Sequence, residues 1–436
     1  MTQGHSAFLQ TQPIAAQGAA LLSAAEQIFA ELRRISFDGS GVTREALGPR
    51  ETAAHAVVER FAREAGLHVE RDRAANLVVT LPGREAEKPF IAIGSHLDSV
   101  PRGGNYDGAA GVVAGLLALA LLRRHGVVPP RTVRLFALRA EESAWFGKSW
   151  IGSHALFGLL SPADLALPRH DSGRPLADHL SDVGADVPAI AAGHALLDPG
   201  KIAVFLEVHI EQGPVLEARG LPVGIVTAIH GNLRHRRVLC RGEAAHAGAT
   251  PRELRRDAVV AVADLIMRLD ARWSEWLARG KQLVVTHGIV TTNAQEHAIS
   301  RISGEVTMSL EIRAEDSTVL ELFHGVVREE ARAVAQQRDV AFEFDTVIRN
   351  SPAAMDPRWI GRLDTLCGEE GVTSMRMPSG AGHDAAVFSH AGVPTAMLFI
   401  RNRFGSHNPA EHMDLADFVT AIQVLIRALL APPDLS

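Results

Sequence analysis

The stretch IAIGSHLDSVPRGGNYDGAAGVVAGLLALALL, residues 91–122, has the pattern of a strand, a loop and a helix. Its apolar helix is internal, glycine-rich and shorter than a membrane span requires. Residues two apart on a strand share a face, so His96 and Asp98 can point into one cleft. In an open α/β sheet, ligands bind in the crevice beyond the carboxyl ends of the strands. With Asp107 in the following loop, the stretch predicts a metal site there.

Length and composition limit the class of protein. A chain of 436 residues is longer than one simple core needs, which favours two domains. The formal net charge of -6 argues against a nucleic-acid surface and against an anionic membrane, so we expect neither partner. Cys240 and Cys367 form no CxxC motif, and the N-terminus has no signal-peptide pattern. We therefore expect a cytoplasmic protein without disulfides.

The pattern of apolar residues changes twice along the chain. Strands alternate with helices up to residue 230, and β-α-β-β-α-β follows over residues 231–350. The first style then returns, with a loop expected from Met377 to Phe388. The sequence thus predicts an α/β fold whose discontinuous catalytic domain, residues 1–230 and 351–436, contains a mixed, mostly parallel sheet. An α+β, ferredoxin-like lid domain is inserted at residues 231–350.

Five residues of the types that divalent metals favour follow or end predicted strands. They are His96, Asp107, Glu142, His209 and His407. Two histidines and one carboxylate per metal, with one further bridging carboxylate, are enough for a two-metal site. A lone histidine is more often a surface or core residue, so each would be weak alone. Their joint occurrence at one end of the same sheet predicts a metal centre.

Six motifs also occur in a characteristic order: GSHLDSVPRGGNYDG, AEES, HIEQGP, AAHAGATP, SGAGHDA and GSHNPAEHM. In this they closely resemble the amidase branch of the M20 metallopeptidase superfamily. That branch holds N-carbamoyl-L-amino-acid hydrolases, β-ureidopropionases and allantoate amidohydrolases. The resemblance runs from about Gly41 to Met413. HIEQGP separates the branch from dipeptidases and acylases, which usually carry a carboxylate at the position of His209.

The resemblance implies how the ligands are shared. One metal ion would be held by His96 and His209, and the other by Glu142 and His407. Asp107 would bridge the two. The implied cofactor is therefore two divalent ions, with zinc as the first choice and manganese, cobalt or nickel as alternatives, since all of them suit these ligands.

Three further acidic residues would serve this centre. Glu141 would be the general base, because adjacent residues in loop backbone point apart and one can face the attacking water. Asp98 would hydrogen-bond the second ring nitrogen of His96 and fix its tautomer, with a turn-capping aspartate as the rival interpretation. Asp384 would have a similar supporting role, for His407.

The residues expected to bind substrate lie mostly in the inserted domain. The resemblance assigns Arg313 to the substrate carboxylate; without it, an edge-strand salt bridge would be favoured. His246 would polarise the scissile carbonyl or hold its oxyanion. Gln212 would hydrogen-bond the ureido or amide group, and His383 would contact the pocket. Ser300 stands where relatives commonly carry asparagine in an NVVPG turn, so a substrate-binding amide is replaced.

Together these observations predict a di-metal amidohydrolase that cleaves a linear C–N amide or ureido bond in a small molecule. N-carbamoyl-L-amino acids or related ureido acids are the expected substrates. An allantoate-type ureide hydrolase and an aminoacylase or dipeptidase of the same superfamily remain alternatives. A non-catalytic binding protein would require a lost ligand or base, and none is lost. The resemblance also implies a homodimer formed through the inserted domain, whose closure would bring Arg313 and His246 to the substrate.

Overall fold

The stretch at residues 91–122 is a strand, a loop and a helix in the computed structural model, which describes residues 15–434. Residues 1–14, where the sequence predicts no signal peptide, lie outside the described residues. Within the described part, no helix combines the length and apolar character needed to cross a membrane.

The strands, in chain order, have the following bounds: β1 His68–Arg71, β2 Leu77–Leu81, β3 Phe90–His96, β4 Val133–Leu138, β5 Ile202–Ile210, β6 Val223–Ile229, β7 Gly231–Arg241, β8 Ala245–His246, β9 Leu283–Thr286, β10 Val290–Thr292, β11 Arg301–Ile302, β12 Glu305–Ala314, β13 Ala341–Phe344, β14 Ile348–Asn350, β15 Ala353–Ala354, β16 Ser374–Ser379, β17 Thr395–Ile400, β18 Asn402–Arg403 and β19 His412–Met413.

The α-helices have the following bounds: α1 Ala15–Ser36, α2 Pro49–Glu64, α3 Ala109–Arg124, α4 Ile151–Leu156, α5 Pro162–Leu165, α6 Leu176–Asp182, α7 Val187–Ala191, α8 Val215–Arg219, α9 Ala258–Ala278, α10 Ser317–Arg338, α11 Pro357–Glu369, α12 Asp384–His390 and α13 Leu415–Leu430. Short 3-10 turns lie at Pro199–Lys201, Arg252–Leu254 and Ala294–Glu296.

The contacts within the chain divide it into two units. The first holds residues up to Thr227 and from Ala354 onward, and the second holds Ala228–Ala353. The sheet of the first unit has the order β1-β2-β4-β3-β5-β17-β6-β15, and β16 pairs with β6. Its central strands β4, β3, β5 and β17 run parallel, while β2 and β6 pair antiparallel on either side. The predicted α/β fold with a mixed sheet that contains parallel strands is confirmed.

Strand β3 is buried at every position, as expected for a central parallel strand covered on both faces. Helix α3 packs on β3 and β5 and is itself buried along most of its length. A helix that is apolar all round belongs in the interior of a large domain. The sheet and helix therefore form a rigid base, and the loop that joins them begins at the carboxyl end of β3.

The second unit is built on an antiparallel sheet of order β10-β12-β7-β13, with β9 pairing β12 and β14 pairing β7. Burial alternates along β12, so one face meets a core that includes Leu265, Ile312 and Phe323. The sequence predicted one strand where β9 and β10 are separate. Strand β10 pairs with β12 at residues 306–308 and β9 pairs with it at residues 311–314, so the two strands lie along different parts of one partner.

The predicted loop from Met377 to Phe388 is wrong, since β16 and α12 occupy most of it. Helix α12 buries Phe388, whose ring stacks on that of Phe205 with centroids 3.8 Å apart. Seven residues are too few to show a helical period, and the nearby glycines indicated a loop. Tertiary packing therefore decides the structure of this segment.

Candidate metal centre

Five predicted ligands converge beyond the carboxyl ends of the central strands. They come from the end of β3, the loop before α3, the segment after β4, β5 and the loop between β18 and β19. The structure forms two groups, His96 with Asp107 and His209, and Asp107 with Glu142 and His407. Within each group the candidate ligand atoms lie within 4.8 Å of one another. Asp107 belongs to both groups.

The two oxygens of Asp107 face different groups. Oδ1 lies 3.3 Å from Nε2 of His209 and 3.9 Å from Nε2 of His96. Oδ2 lies 3.1 Å from Nε2 of His407, which is 3.3 Å from Oε1 of Glu142. One carboxylate is thus arranged to serve two neighbouring cations.

The hydrogen bonds of the donor set agree with the expected ions. Oδ1 of Asp107 is buried and accepts no hydrogen bond from any described residue. A buried carboxylate oxygen is costly without a partner, and a cation would supply one. Imidazole nitrogens mixed with carboxylate oxygens suit borderline divalent metals. The residues present therefore fit two divalent ions.

The carboxylates at the centre favour positive charge on their neighbours. Hydrogen bonds with Asp107 and Glu142 raise the pKa of His407 to about 11. Burial opposes ionisation of Asp107, but the nearby imidazoles of His209 and His407 outweigh it and hold the pKa of Asp107 well below its usual range. Such strongly perturbed groups, gathered at one place, are typical of functional sites.

The segment 139–142 carries the expected base and one ligand, and all four of its backbone N–H groups donate to buried side-chain oxygens. In chain order the acceptors are Asn76, Glu51 and, for the last two donors, the two oxygens of Asp98, at 2.9–3.0 Å. These contacts hold a turn in which Ala140 has a φ of 54°. The turn separates the two adjacent glutamates.

Glu141 and Glu142 point to different places. Oε2 of Glu141 lies 3.9 Å from Nε2 of His96, whereas Glu142 faces His407. Burial raises the pKa of Glu141 well above its usual range, and the neighbouring charge of Glu142 raises it further. A carboxylate with a raised pKa next to a cation site is suited to accept a proton.

Asp98 has a larger structural role than the sequence indicated. Its Oδ1 lies 3.3 Å from Nδ1 of His96, and its backbone oxygen lies 3.1 Å from the same nitrogen. Either contact fixes the tautomer that presents Nε2 to a metal. The same carboxylate also holds the backbone of both glutamates, so it orients one expected ligand and the expected base together.

The other predicted residues of the first unit lie beside the ligands. Gln212 donates to Oδ2 of Asp107 at 3.0 Å. His383 packs edge-to-face on His209 with ring centroids 4.4 Å apart, and burial lowers its pKa well below the usual range. Asp384 accepts a hydrogen bond from Ser153 at 2.5 Å, and burial raises its pKa to about 7. The pairing of Asp384 with His407 stays a prediction.

The remaining predicted residues belong to the second unit. His246 is exposed on β8, and its Nδ1 accepts the backbone N–H groups of residues 248 and 249 at 3.2 and 3.1 Å. Its proton is therefore on Nε2. Ser300 is exposed. Arg313 is half-buried and lies 3.1 Å from Glu311.

Sequence reasoning missed several residues that hold the ligands. Gly108 has a φ of +66°, and a Cβ there would lie 2.4 Å from ring atoms of His96. Glu411 accepts hydrogen bonds from the backbone of residues 106 and 107 and from Ser406, joining two ligand loops. Glu207 forms a further buried group with His209 and His383. A glutamate two residues before a histidine in an apolar strand was a readable signal for this last group.

This fold and these two groups sharing one carboxylate are typical of two-metal hydrolases. Residues 92–431 match Peptidase family M20/M25/M40, and the chain belongs to that family. It is 33% identical over 387 residues to the allantoate amidohydrolase of Escherichia coli K12, covering 88% of this chain and 91% of the relative.

Two further similarities agree with this family. The chain is 34% identical over 386 residues to the N-carbamoyl-L-amino acid amidohydrolase of Geobacillus stearothermophilus, covering 88% of this chain and 92% of the relative. A hydantoinase/carbamoylase family amidase structure from Burkholderia ambifaria matches with a TM-score of 0.84 and 30% identity, covering 96% of each chain. The predicted family is confirmed, and the chain is an amidohydrolase of linear C–N bonds.

Proposed function

We propose that the protein hydrolyses the ureido C–N bond of an N-carbamoyl-L-amino acid or a related ureido acid. The observation that carries the proposal is the pair of ligand groups that share Asp107, with the carboxylate of Glu141 beside them. Relatives of similar identity are named for N-carbamoyl-L-amino acids and for allantoate, so an allantoate-type ureide is the second candidate.

Two divalent ions, zinc in the first place and otherwise manganese, cobalt or nickel, would complete this centre. His96, His209 and Asp107 would hold one ion, and Asp107, Glu142 and His407 the other. When bound, such ions lower the pKa of a nearby water and polarise the substrate carbonyl. The partnerless Oδ1 of Asp107 supports this assignment.

In the reaction Glu141 is the general base. It takes a proton from the water that attacks the carbonyl carbon, and it returns that proton to the leaving nitrogen as the C–N bond breaks. Its position supports this double role, because Oε2 of Glu141 lies beside His96 while Glu142 is directed at His407. Gln212, which lies beside Asp107, would hydrogen-bond the ureido group, and His383 would line the pocket.

Arg313 would bind the substrate carboxylate. His230 supports an anion site here, since both of its ring nitrogens are buried without a hydrogen-bond partner among the described residues. Burial, with the charge of Arg313, lowers the pKa of His230 to about 4. A substrate carboxylate would accept a hydrogen bond from His230 and would neutralise the charge of Arg313. Nε2–H of His246 would donate to the oxyanion, and Ser300 would take the place of the asparagine that relatives commonly use.

We further propose that the insertion, with boundaries at residues 231 and 350, acts as a lid and as the interface of a homodimer. Its strand order is the one found in ferredoxin-like units, which supports the name given to it. The substrate is a small molecule, and we propose a cytoplasmic location.

The test is metal removal followed by single-metal restoration and a substrate panel. The panel contains carbamoyl-, acetyl- and aminoacyl-amino acids and allantoate. We expect no turnover after chelation, recovery with at least one of the four metals, and turnover of carbamoyl-amino acids above the rest. Undiminished turnover by the chelated protein, or a preference for acetyl- or aminoacyl-amino acids, would contradict the proposal. Glu141→Gln should lose turnover while it still binds two ions.

A further inference from the structure

We propose that Trp150 is a positioning residue whose indole N–H decides which carboxylate oxygen of Glu141 is free to accept a proton. This inference rests on the general-base role proposed above for Glu141. The indole Nε1 donates to Oε1 of Glu141 at 2.7 Å. That distance is typical of a hydrogen bond to a charged group. The other oxygen, Oε2, faces Nε2 of His96 at 3.9 Å.

The backbone around Trp150 is tied to the segment that carries the base. The N–H of Trp150 donates to the backbone oxygen of Glu141 at 2.8 Å, and the N–H of residue 151 donates to that of Ala140 at 2.9 Å. Trp150 itself has φ 61° and ψ 36°, a left-handed conformation that bulky residues rarely adopt. Such a conformation persists only where the surroundings enforce it, and it is found most often at functional sites.

Gly382 and His154 also hold the indole ring in place. A Cβ at Gly382 would lie 2.4 Å from Cζ2 of Trp150, so the ring lies directly against the glycine backbone. The ring of His154 meets it edge-to-face, with centroids 5.9 Å apart. His154 thus packs against Trp150 only as a ring neighbour. A donor held in this way cannot follow Glu141 if the carboxylate rotates.

The expected consequence concerns the rate of the chemical step. With Oε1 held by the indole, Oε2 is the oxygen directed at the metal centre. Without the indole, the carboxylate can rotate and exchange its oxygens, so the base is correctly placed for a smaller fraction of the time. Loss of a hydrogen bond to a charged group corresponds to about a 10-fold to 100-fold decrease in rate. We expect this change in kcat, with KM unchanged, because the contact that is removed is one to the base.

Trp145 provides a matched control on the same segment. Its indole Nε1 donates to the backbone oxygen of Ser99 at 2.9 Å, and the side chain is buried. Trp145→Phe removes the same kind of donor and the same ring volume as Trp150→Phe, but from a contact that does not involve Glu141. We expect Trp145→Phe to retain the kcat of the original protein.

The experiment compares both variants on the full chain loaded with zinc. Metal content and thermal stability are measured first, then kcat and KM on the best substrate of the panel. In parallel, the five indole N–H signals of ¹⁵N-tryptophan-labelled protein are recorded by NMR. The signal missing in Trp150→Phe belongs to Trp150, and Glu141→Gln is then examined with Trp150 intact. We expect that signal to move when the carboxylate becomes an amide.

Two results would overturn the inference. The first is an indole signal of Trp150 that does not move in Glu141→Gln, since the contact would then be absent. The second is a Trp150→Phe variant with two bound ions and a kcat equal to that of Trp145→Phe. The NMR arm needs no turnover, so failure of the proposed substrates can be distinguished from failure of this contact.

Discussion

Gly108 offers a sharp test of how the metal centre is built. A Cβ at this position would lie 2.4 Å from the Cδ2, Cε1 and Nε2 atoms of His96. Carbon atoms in contact stay about 3.5–4.0 Å apart, so Gly108→Ala must displace the ring by about 1 Å or more. Such overpacking costs about 1–3 kcal/mol. The displaced atoms include Nε2, which is the expected ligand atom.

The backbone strain of this substitution has its own control. Gly126, just beyond the same helix, has a φ of +65°, and a Cβ there would meet nothing within 4 Å. Gly126→Ala therefore introduces an alanine at positive φ without the contact to His96. We expect Gly108→Ala to lose about 1–3 kcal/mol of unfolding free energy beyond this control. We also expect it to lose the ion held by His96 and His209.

The assays are denaturant unfolding of the chelated proteins and zinc content after reloading. Chelated protein is used for unfolding so that the overpacking is measured apart from metal binding. The reasoning is refuted if both alanine variants unfold with equal free energies and both take up two zinc ions per chain with the affinity of the original protein.

Three further predictions follow from the described contacts. Glu51→Ala should cost about 3–5 kcal/mol in denaturant unfolding, because it removes the carboxylate that lies 2.8 Å from the buried guanidinium of Arg139. Glu31→Ala breaks the exposed ion pair of Glu31 with Arg60 and should cost at most about 1 kcal/mol of unfolding free energy. Equal costs for Glu51→Ala and Glu31→Ala would contradict the prediction. His407→Ala should lower zinc from two ions per chain to one by mass spectrometry; retention of both would remove His407 from the ligand set. The pKa of His230 falls from 6.5 to about 4 on folding, so the unfolded chain binds the extra proton between these values and stability falls as pH falls. The unfolding free energy in urea is measured at pH 6.5 and at pH 4, and His230→Leu should reduce the difference between them by up to about 3 kcal/mol. An unchanged difference would contradict the lowered pKa of His230.

The sequence was informative where local pattern and chemistry coincide. The apolar run of β3 and the glycine-rich α3 have strong local signals, and the expected ligands follow strands whose carboxyl ends share one sheet edge. The two groups around Asp107 could be anticipated because strand ends, residue types and motif order all agreed. Local reasoning was sufficient wherever a ligand belongs to an element with a clear period.

The supporting contacts could not be predicted because they join distant parts of the chain. Glu51 accepts the N–H of Ala140 across 89 positions, and nothing local distinguishes Glu51 from the other acids of a helical segment. The hydrogen bond of Trp150 depends on a left-handed backbone that an isolated tryptophan does not favour. The loop predicted in place of α12 was wrong for a related reason, since formation of this helix depends on packing between Phe388 and Phe205.

The roles of Arg313 and His246 stay predictions of the family resemblance, as does the homodimer. Ser300 adds a difference from relatives whose effect on substrate choice the panel will measure. These residues belong to the second unit, whereas every expected metal ligand belongs to the first. Metal binding and the roles of these three residues can therefore be tested on separate sets of variants.

The most direct test of the two-ion centre is anomalous diffraction from crystals of the zinc-loaded protein. We predict two zinc peaks, one on each oxygen of Asp107 at about 2.0–2.2 Å, with His96 and His209 on one ion and Glu142 and His407 on the other. A single peak at full zinc loading, or two peaks of which only one contacts Asp107, would contradict the account.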